Sequence, residues 1–348
     1  MNLRQHGGVE SIPGLEDPFA LLLSAIRQQR LPQSLLLGGE AGLGKRLLAE
    51  ALAARLLCEA LDKDTLRPCG VCASCHLLAS DSHPDFLLLE PLEAGKVINI
   101  EQVREASEFL QLRPQHAPRR VLLLAPAEAM PPAAANAFLK TLEEPGPHGN
   151  ILLVSHALGR LLPTIRSRCS QIRLVPPDAG QLSAWLQAQS NLDARTAADL
   201  ARYSLGRPLR SLEWIEQDIL RLRREWLDAW LKLPRQSPAA ALSLAAQWAR
   251  EKALSNLLLT VHTVVIDILR LRLGASSPII NDDFGEPLSR LASRVAIHPL
   301  IDFETQWRQI HVARDRNLNL TLVLESLGLA WRDPALWSGA AFQQPEEM

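Results

Sequence analysis

The sequence predicts an α/β core built on a parallel sheet, followed by an all-helical remainder. Three observations carry that expectation. Short continuous apolar runs alternate with helical patterns through the first 175 residues, as strands covered on both faces do. A glycine-rich loop ending in Gly44-Lys45 follows the first of these runs and opens a helix. After Pro176-Pro177 the alternation stops, and every segment long enough to classify has helical period. Two residue types divide at the same place: all five Cys lie at or before Cys169, and all eight Trp lie after residue 180. At roughly 150 residues per domain, a chain of 348 points to two or three domains.

The elements follow in order. Ser34–Gly38 reads as a buried strand, and Arg46–Leu57 has the Leu and Ala spacing of a helix. Phe86–Leu89 is a second strand-like run, and Ile100–Leu112 an amphipathic helix. Val121–Leu124 is the third strand. Ala133–Glu144 is a helix entered through Pro131-Pro132 and stopped by Pro145-Gly146. Ile151–Val154 and Gln171–Leu174 complete the strands. Asp178–Gln189 and Ala194–Tyr203 read as short helices, and Arg210–Trp230, Ala239–Leu273 (one helix or two) and Phe303–Ala330 as longer helical stretches. Gly-, Pro- and Asn-rich clusters such as Gly274–Pro287 break them, and the tail after Trp337 is expected to fray.

Composition excludes several classes. With 47% hydrophobic and 22% charged residues, the chain is not disordered throughout. The net charge of −1, from 37 basic and 38 acidic residues, gives no global electrostatic case for a nucleic-acid or membrane binder. Charges interrupt every window of about 18 residues, so no membrane span is expected. The polar stretch Met1–Glu10 lacks the apolar centre of a secretory signal, and a cytoplasmic protein is expected.

The first chemical motif is Gly39-Glu40-Ala41-Gly42-Leu43-Gly44-Lys45-Arg46, which fits G-x-x-x-x-G-K. Gly39, Gly42 and Gly44 let backbone N–H groups turn inward around phosphate oxygens. Lys45 meets the terminal phosphates, and the helix N-terminus favours their charge. The eighth position should be a Ser or Thr that ligates Mg²⁺, but here it is Arg46. The third strand should end in an Asp that holds the metal, but it is followed by Ala125-Pro126, and the first carboxylate is Glu128. Phosphate or ATP binding therefore stays open, while Mg-dependent hydrolysis by this chain is not expected.

The second motif is Cys58-x10-Cys69-x2-Cys72-x2-Cys75. Four thiolates within 18 residues of a cytosolic chain match a tetrahedral structural zinc site better than disulfides. An iron–sulfur cluster is the alternative, although the C-x3-C-P continuation is absent. A closed four-thiolate site has no open coordination position and is not catalytic, and His76 and His83 would stand outside it. The third motif is Ile165-Arg166-Ser167-Arg168-Cys169. Beside a phosphate loop, an Arg here could stabilise charge on a transferring phosphoryl group, in cis or from a neighbouring subunit. Cys169 reads as a packed thiol, since no His stands near it in a recognisable pattern.

Together with His83-Pro84-Asp85, Ala135-Asn136-Ala137-Phe138-Leu139-Lys140-Thr141-Leu142-Glu143-Glu144-Pro145 and Ser167-Arg168-Cys169, these motifs resemble the bacterial clamp-loader ATPase family, of AAA+ type. The likeness is specific over the first 175 residues. It continues more weakly through Asn317-Leu318-Asn319 and Leu324-Glu325-Ser326-Leu327. It implies an AAA+ core over 1–176 with a zinc module near 58–76, a helical lid over 177–209, a helical collar over 210–335 that oligomerises, and a tail over 336–348. It implies a hetero-pentamer of DNA polymerase III, with motor subunits and a delta subunit, that uses ATP to place a sliding clamp on primed DNA. The family member nearest this pattern does not hydrolyse ATP and presents its Ser-Arg-Cys arginine, here Arg168, to a neighbour's nucleotide. Ser155 stands at the family's sensor position. A second sensor Arg is expected near Gly206, where Arg207 and Arg210 flank Leu209.

Two other functions compete with this one. An active P-loop ATPase motor subunit would hydrolyse ATP through Lys45. A zinc-dependent DNA-binding module would need more basic residues than the Lys63 and Arg67 of the cysteine segment.

Overall fold

The computed structural model describes residues 9–60, 67–93, 95–276, 278–313, 319–333 and 335. The expected tail at 336–348, Trp337, Asn317-Leu318 and Lys63 lie outside these residues. The chain forms two compact units, Met1–Leu212 and Glu213–Met348.

The first unit runs α1 (Glu16–Arg27), β1 (Ser34–Gly38), α2 (Lys45–Leu57), α3 (Ala73–Ala79), β2 (Phe86–Leu89), α4 (Ile100–Gln111) and β3 (Arg120–Leu124). It continues through α5 (Pro132–Glu143), β4 (Gly149–Ser155), α6 (Pro163–Arg166), β5 (Ser170–Arg173), α7 (Ala179–Ser190), α8 (Ala194–Tyr203) and the start of α9 (Pro208–Glu216). The five strands make one parallel sheet in the order β2-β3-β4-β1-β5. Alternate side chains explain the continuous apolar runs. Leu35, Leu37, Val121, Leu123, Leu152 and Val154 pack with Leu48 and Leu52 of α2 on one face. Leu36, Leu122, Leu124, Ile151 and Leu153 pack with Val103 of α4 and Phe138 of α5 on the other. This is the α/β core on a parallel sheet that the sequence predicts.

His83-Pro84-Asp85 serves the fold. The fully buried Asp85 carboxylate accepts the backbone N–H groups of Gln115, His116 and Ala117 at 2.8 to 3.0 Å, and Arg120 approaches it at 3.4 Å. Those bonds tie the turn before β2 to the loop before β3. Burial by itself would push the Asp85 pKa up, but the three N–H donors and Arg120 hold it below the ordinary carboxylate range. Asp85→Ala would orphan these donors and leave the buried Arg120 guanidinium without a carboxylate. The expected loss is about 3–5 kcal/mol of unfolding free energy, read from urea melts. The pH effect has a definite sign. Because the folded pKa is depressed, the contribution is complete above the unfolded value of about 3.9 and is lost as pH falls through the folded value. Wild-type stability should therefore decline with acid more steeply than that of the Asp85→Ala protein.

The second unit continues with α10 (Ile219–Lys232), α11 (Pro238–Trp248), α12 (Leu254–Arg272), α13 (Gly285–Ala292), α14 (Ile297–Ala313) and α15 (Leu320–Arg332). Trp230 is its hub, with ring centroids 5.8 Å from Trp248, 5.8 Å from Trp307 and 5.1 Å from Trp331. Trp331 also donates its indole N–H to the Trp230 carbonyl at 3.1 Å. Trp230, Trp248, Trp307 and Trp331 thus fill the core of this unit. Among the described residues one helix, α12, is long and apolar enough to cross a membrane by length and composition. Its Leu257, Leu258, Val261, Val264, Val265 and Ile268 are buried in the unit, so it is a core helix here.

Several boundaries differ from the sequence expectation. The helical stretch Arg210–Trp230 is divided at Asp218, whose φ of 52° lies in the left-handed region that Asp tolerates. The segment Gly274–Pro287, expected only to break helices, also starts α13.

Candidate functional site

The phosphate loop follows β1 at the C-terminal edge of the sheet, where parallel sheets bind ligands. Gly42 and Gly44 adopt φ of 89° and 88°, which L side chains rarely adopt, so the loop needs glycine at both positions. The surrounding chain fills the space around it. A Cβ on Gly44 would lie 2.8 Å from the buried Leu15, and one on Gly42 would lie 3.1 Å from Arg210 Cβ. The Leu209 N–H donates to the Gly42 carbonyl at 3.0 Å, and Arg207 ion-pairs with Glu40. The buried Lys45 ammonium donates to the carbonyl of Glu40 within its own loop. Burial lowers its pKa to about 8. Glu128 and Glu40 oppose the shift, and Arg207 and Arg210 add to it.

Arg46 turns away from the loop. It donates to Glu50 at 2.8 Å and to Glu90, just beyond β2, at 2.9 Å, so its charge is neutralised by two carboxylates. Glu128, the first carboxylate after β3, accepts the backbone N–H of His156 at 2.8 Å. Ser155 is fully buried at the end of β4, and its hydroxyl accepts the Ala157 N–H at 3.2 Å. Of the residues near Gly206, Arg207 reaches Glu40 and Leu209 meets the loop through its backbone. The pairings of Glu40 with Arg207 and of Glu128 with the His156 N–H have no spacing signature in the sequence.

The four cysteines converge as their spacing predicts. Cys58 caps the end of α2, Cys72 caps the start of α3, and Cys75 lies in its first turn. All four sulfurs lie within 4.8 Å of one another and could hold a metal ion. The Cys58–Cys72 and Cys69–Cys75 separations are 4.0 and 3.9 Å. A tetrahedron with metal–sulfur bonds of about 2.3 Å would place sulfurs about 3.8 Å apart, so the donor set fits. Backbone N–H groups of Cys69, Cys72 and Cys75 point at the sulfurs of Cys58, Cys69 and Cys72 at 3.3 to 3.4 Å. N–H groups of Val71 and Cys72 pull the exposed Cys69 thiol down to about 6, while burial pushes Cys75 up to about 12. Glu59 fastens α3 by accepting the Ser74 N–H and hydroxyl, each at 3.1 Å. His76 is exposed, and the buried His83 accepts the Asp85 N–H through Nδ1 at 3.0 Å.

Arg168 stands elsewhere. In the β1–β5 register Leu35 faces Ser170 and Gly38 faces Arg173. The phosphate loop therefore leaves the C-terminal edge, while Arg168 precedes β5 at the N-terminal edge, with roughly 10 Å of strand between the edges. The partly exposed Arg168 donates from Nε to Glu143 Oε1 at 2.6 Å and from Nη1 to the Thr164 carbonyl at 3.1 Å. Cys169 is buried in the sheet's second core cluster, and burial pushes its thiol up to about 12, as a packed thiol requires.

The family model "DNA polymerase III, delta subunit" matches residues 15–178, and "DNA polymerase III, delta subunit, C terminal" matches residues 217–333. DNA polymerase III subunit delta' of Pseudomonas aeruginosa is 37% identical over 312 residues, spanning 85% of this chain and 90% of that protein. DNA polymerase III subunit tau of Escherichia coli K12 is 30% identical over 176 residues, 51% of this chain and 27% of that protein. A crystal structure of a DNA polymerase III gamma subunit-related protein from Thermotoga maritima aligns over 89% of this chain and 98% of its own, with 18% identity and a TM-score of 0.39. The extent of the delta' likeness decides the assignment: this chain belongs to the delta' subunit family of DNA polymerase III.

Proposed function

We propose that this chain is a non-hydrolysing subunit of the DNA polymerase III clamp loader, helping ATP-driven loading of the sliding clamp onto primed DNA. In this reading Arg168 completes the active site of an adjacent motor subunit in trans. The observation that carries it is the position of Arg168 at the sheet edge opposite its own phosphate loop, on the surface. From there the guanidinium is out of reach of a nucleotide on Lys45 but open to one bound next door. It would stabilise charge spreading over the transferring phosphoryl group.

The absence of hydrolysis in cis rests on three features. Arg46 replaces the metal-binding hydroxyl and is engaged by Glu50 and Glu90. Ala125-Pro126 replaces the metal-binding carboxylate after β3. Lys45, Arg207 and Leu209 are engaged with the loop itself. Zinc is the metal we assign to Cys58, Cys69, Cys72 and Cys75, since four closed thiolate positions suit a structural ion. When bound it would cross-link the end of α2 to α3. We read 1–176 as the core, 177–209 as a lid and 210–335 as a collar. Motor subunits and a delta subunit would be the direct partners, and clamp and DNA would be reached through the assembly in the cytoplasm. The near-neutral charge fits a subunit that works mostly through protein contacts.

Steady-state ATP turnover tests this. The isolated chain is expected to show none above background, and Lys45→Ala should leave the turnover of a reconstituted loader within about twofold. Hydrolysis by the isolated chain, abolished by Lys45→Ala, would instead establish a motor subunit.

A further inference from the structure

We propose that Glu143 is the positioning residue for Arg168, holding its guanidinium ready for the neighbour's phosphates. The inference rests on the trans-finger reading above and deepens it. A guanidinium carries five N–H donors in a planar fork. In Arg168 two of them are committed within the subunit, Nε–H to Glu143 and one Nη1–H to the Thr164 carbonyl. Bonds from two different nitrogens fix both the direction and the plane of the group. Among the described residues Nη2 has no partner, which leaves it for a phosphate oxygen.

Both anchors belong to rigid elements. Glu143 ends α5, whose Ala134, Ala135, Phe138 and Leu142 are buried in the core, and Thr141 bonds Ser107 of α4 at 2.8 Å. Thr164 lies in α6, which starts at Pro163 and is fixed by the fully buried Ile165. A long Arg side chain without these anchors would sample many rotamers, and each turnover would have to order it again. The neighbouring Glu144 is exposed and makes no bond to Arg168, so it cannot substitute from its place at the end of the helix.

The test compares Glu143→Ala, Glu143→Gln, Glu144→Ala and Arg168→Ala in a loader reconstituted with its motor subunits. Glu143→Ala is expected to lower kcat for ATP about tenfold, with KM within about twofold, because placement in the transition state is lost while ground-state binding is kept. Glu143→Gln keeps an acceptor oxygen at the same point and should recover most of the rate, whereas Glu144→Ala should behave as wild type. Unchanged melting of the Glu143→Ala chain separates positioning from stability. Wild-type or faster turnover in Glu143→Ala, with Arg168→Ala impaired, would overturn the inference, as would a Gln variant as slow as the Ala variant. If Arg168→Ala itself has no effect, the finger reading falls first.

Discussion

In a reconstituted loader carrying Arg168→Ala, ATP turnover at the nucleotide site facing this subunit is expected to fall about 10³-fold, the lower end of an arginine finger's contribution. Clamp loading should fall with it, because in the proposed role ATP turnover at that site drives placement of the clamp on DNA. The size of the effect follows from where the charge is needed. A guanidinium aimed at the transferring phosphoryl group acts where negative charge spreads in the transition state, in a site that excludes much of the water. Arg168→Lys should rescue little, since an ammonium reproduces neither the planar fork nor the two anchoring bonds to Glu143 and Thr164. The isolated Arg168→Ala chain should melt like wild type, because the pair it breaks is at the surface. Wild-type ATP turnover and clamp loading by the Arg168→Ala loader would remove the trans role altogether.

The second large effect concerns the cysteine cluster. Cys58→Ser or Cys75→Ser, the two buried positions, should abolish stoichiometric zinc in the purified chain, as measured by elemental analysis. In small zinc modules the apparent binding free energy is about 10–16 kcal/mol at neutral pH, and much of it is folding energy. Here the sheet has its own two-sided core of Leu, Val and Ile, so the loss should be confined to the segment around Cys69–Ala79. Hydrogen exchange should show α3 unprotected in the variant while β1, β3 and β4 stay protected. Because thiols must give up protons to bind metal, zinc affinity should weaken as pH falls. Global loss of protection across the sheet would refute a locally acting module. Retention of one zinc per chain in Cys75→Ser would refute the ligand assignment.

Much of this architecture is written in local pattern. The strand runs at Ser34–Gly38, Phe86–Leu89 and Val121–Leu124 read correctly because strands covered on both faces must be apolar at every position. The helix Pro132–Glu143 is bracketed by the prolines and glycine that start and stop it. The cysteine spacing is likewise a short-range instruction: two residues between ligands leave just enough chain to turn sulfur toward sulfur. By contrast, the helix Glu16–Arg27 has no strong capping residue, since Leu15 precedes it without a side-chain bond, and no local signal announces its start. Asp218 divides one helical stretch into two, a choice that the periodicity on either side does not reveal.

Local pattern in the chain, then, carries the parallel sheet, the glycine loop on its strand-to-helix turn, the spacing of the four thiols and the presence of Arg46, Ala125 and Pro126 where a metal-side hydroxyl and carboxylate would otherwise stand. Tertiary structure alone decided what those residues meet. Arg46 is engaged by Glu90, 44 residues away, and Glu40 by Arg207, 167 residues away. Arg168 is set at the far edge of the sheet because β5 pairs in parallel with β1, and there Glu143 comes within 2.6 Å of it. The physical reason is range. Periodicity, capping and ligand spacing act over a few turns of chain, whereas strand order and register arise when distant apolar faces are buried together.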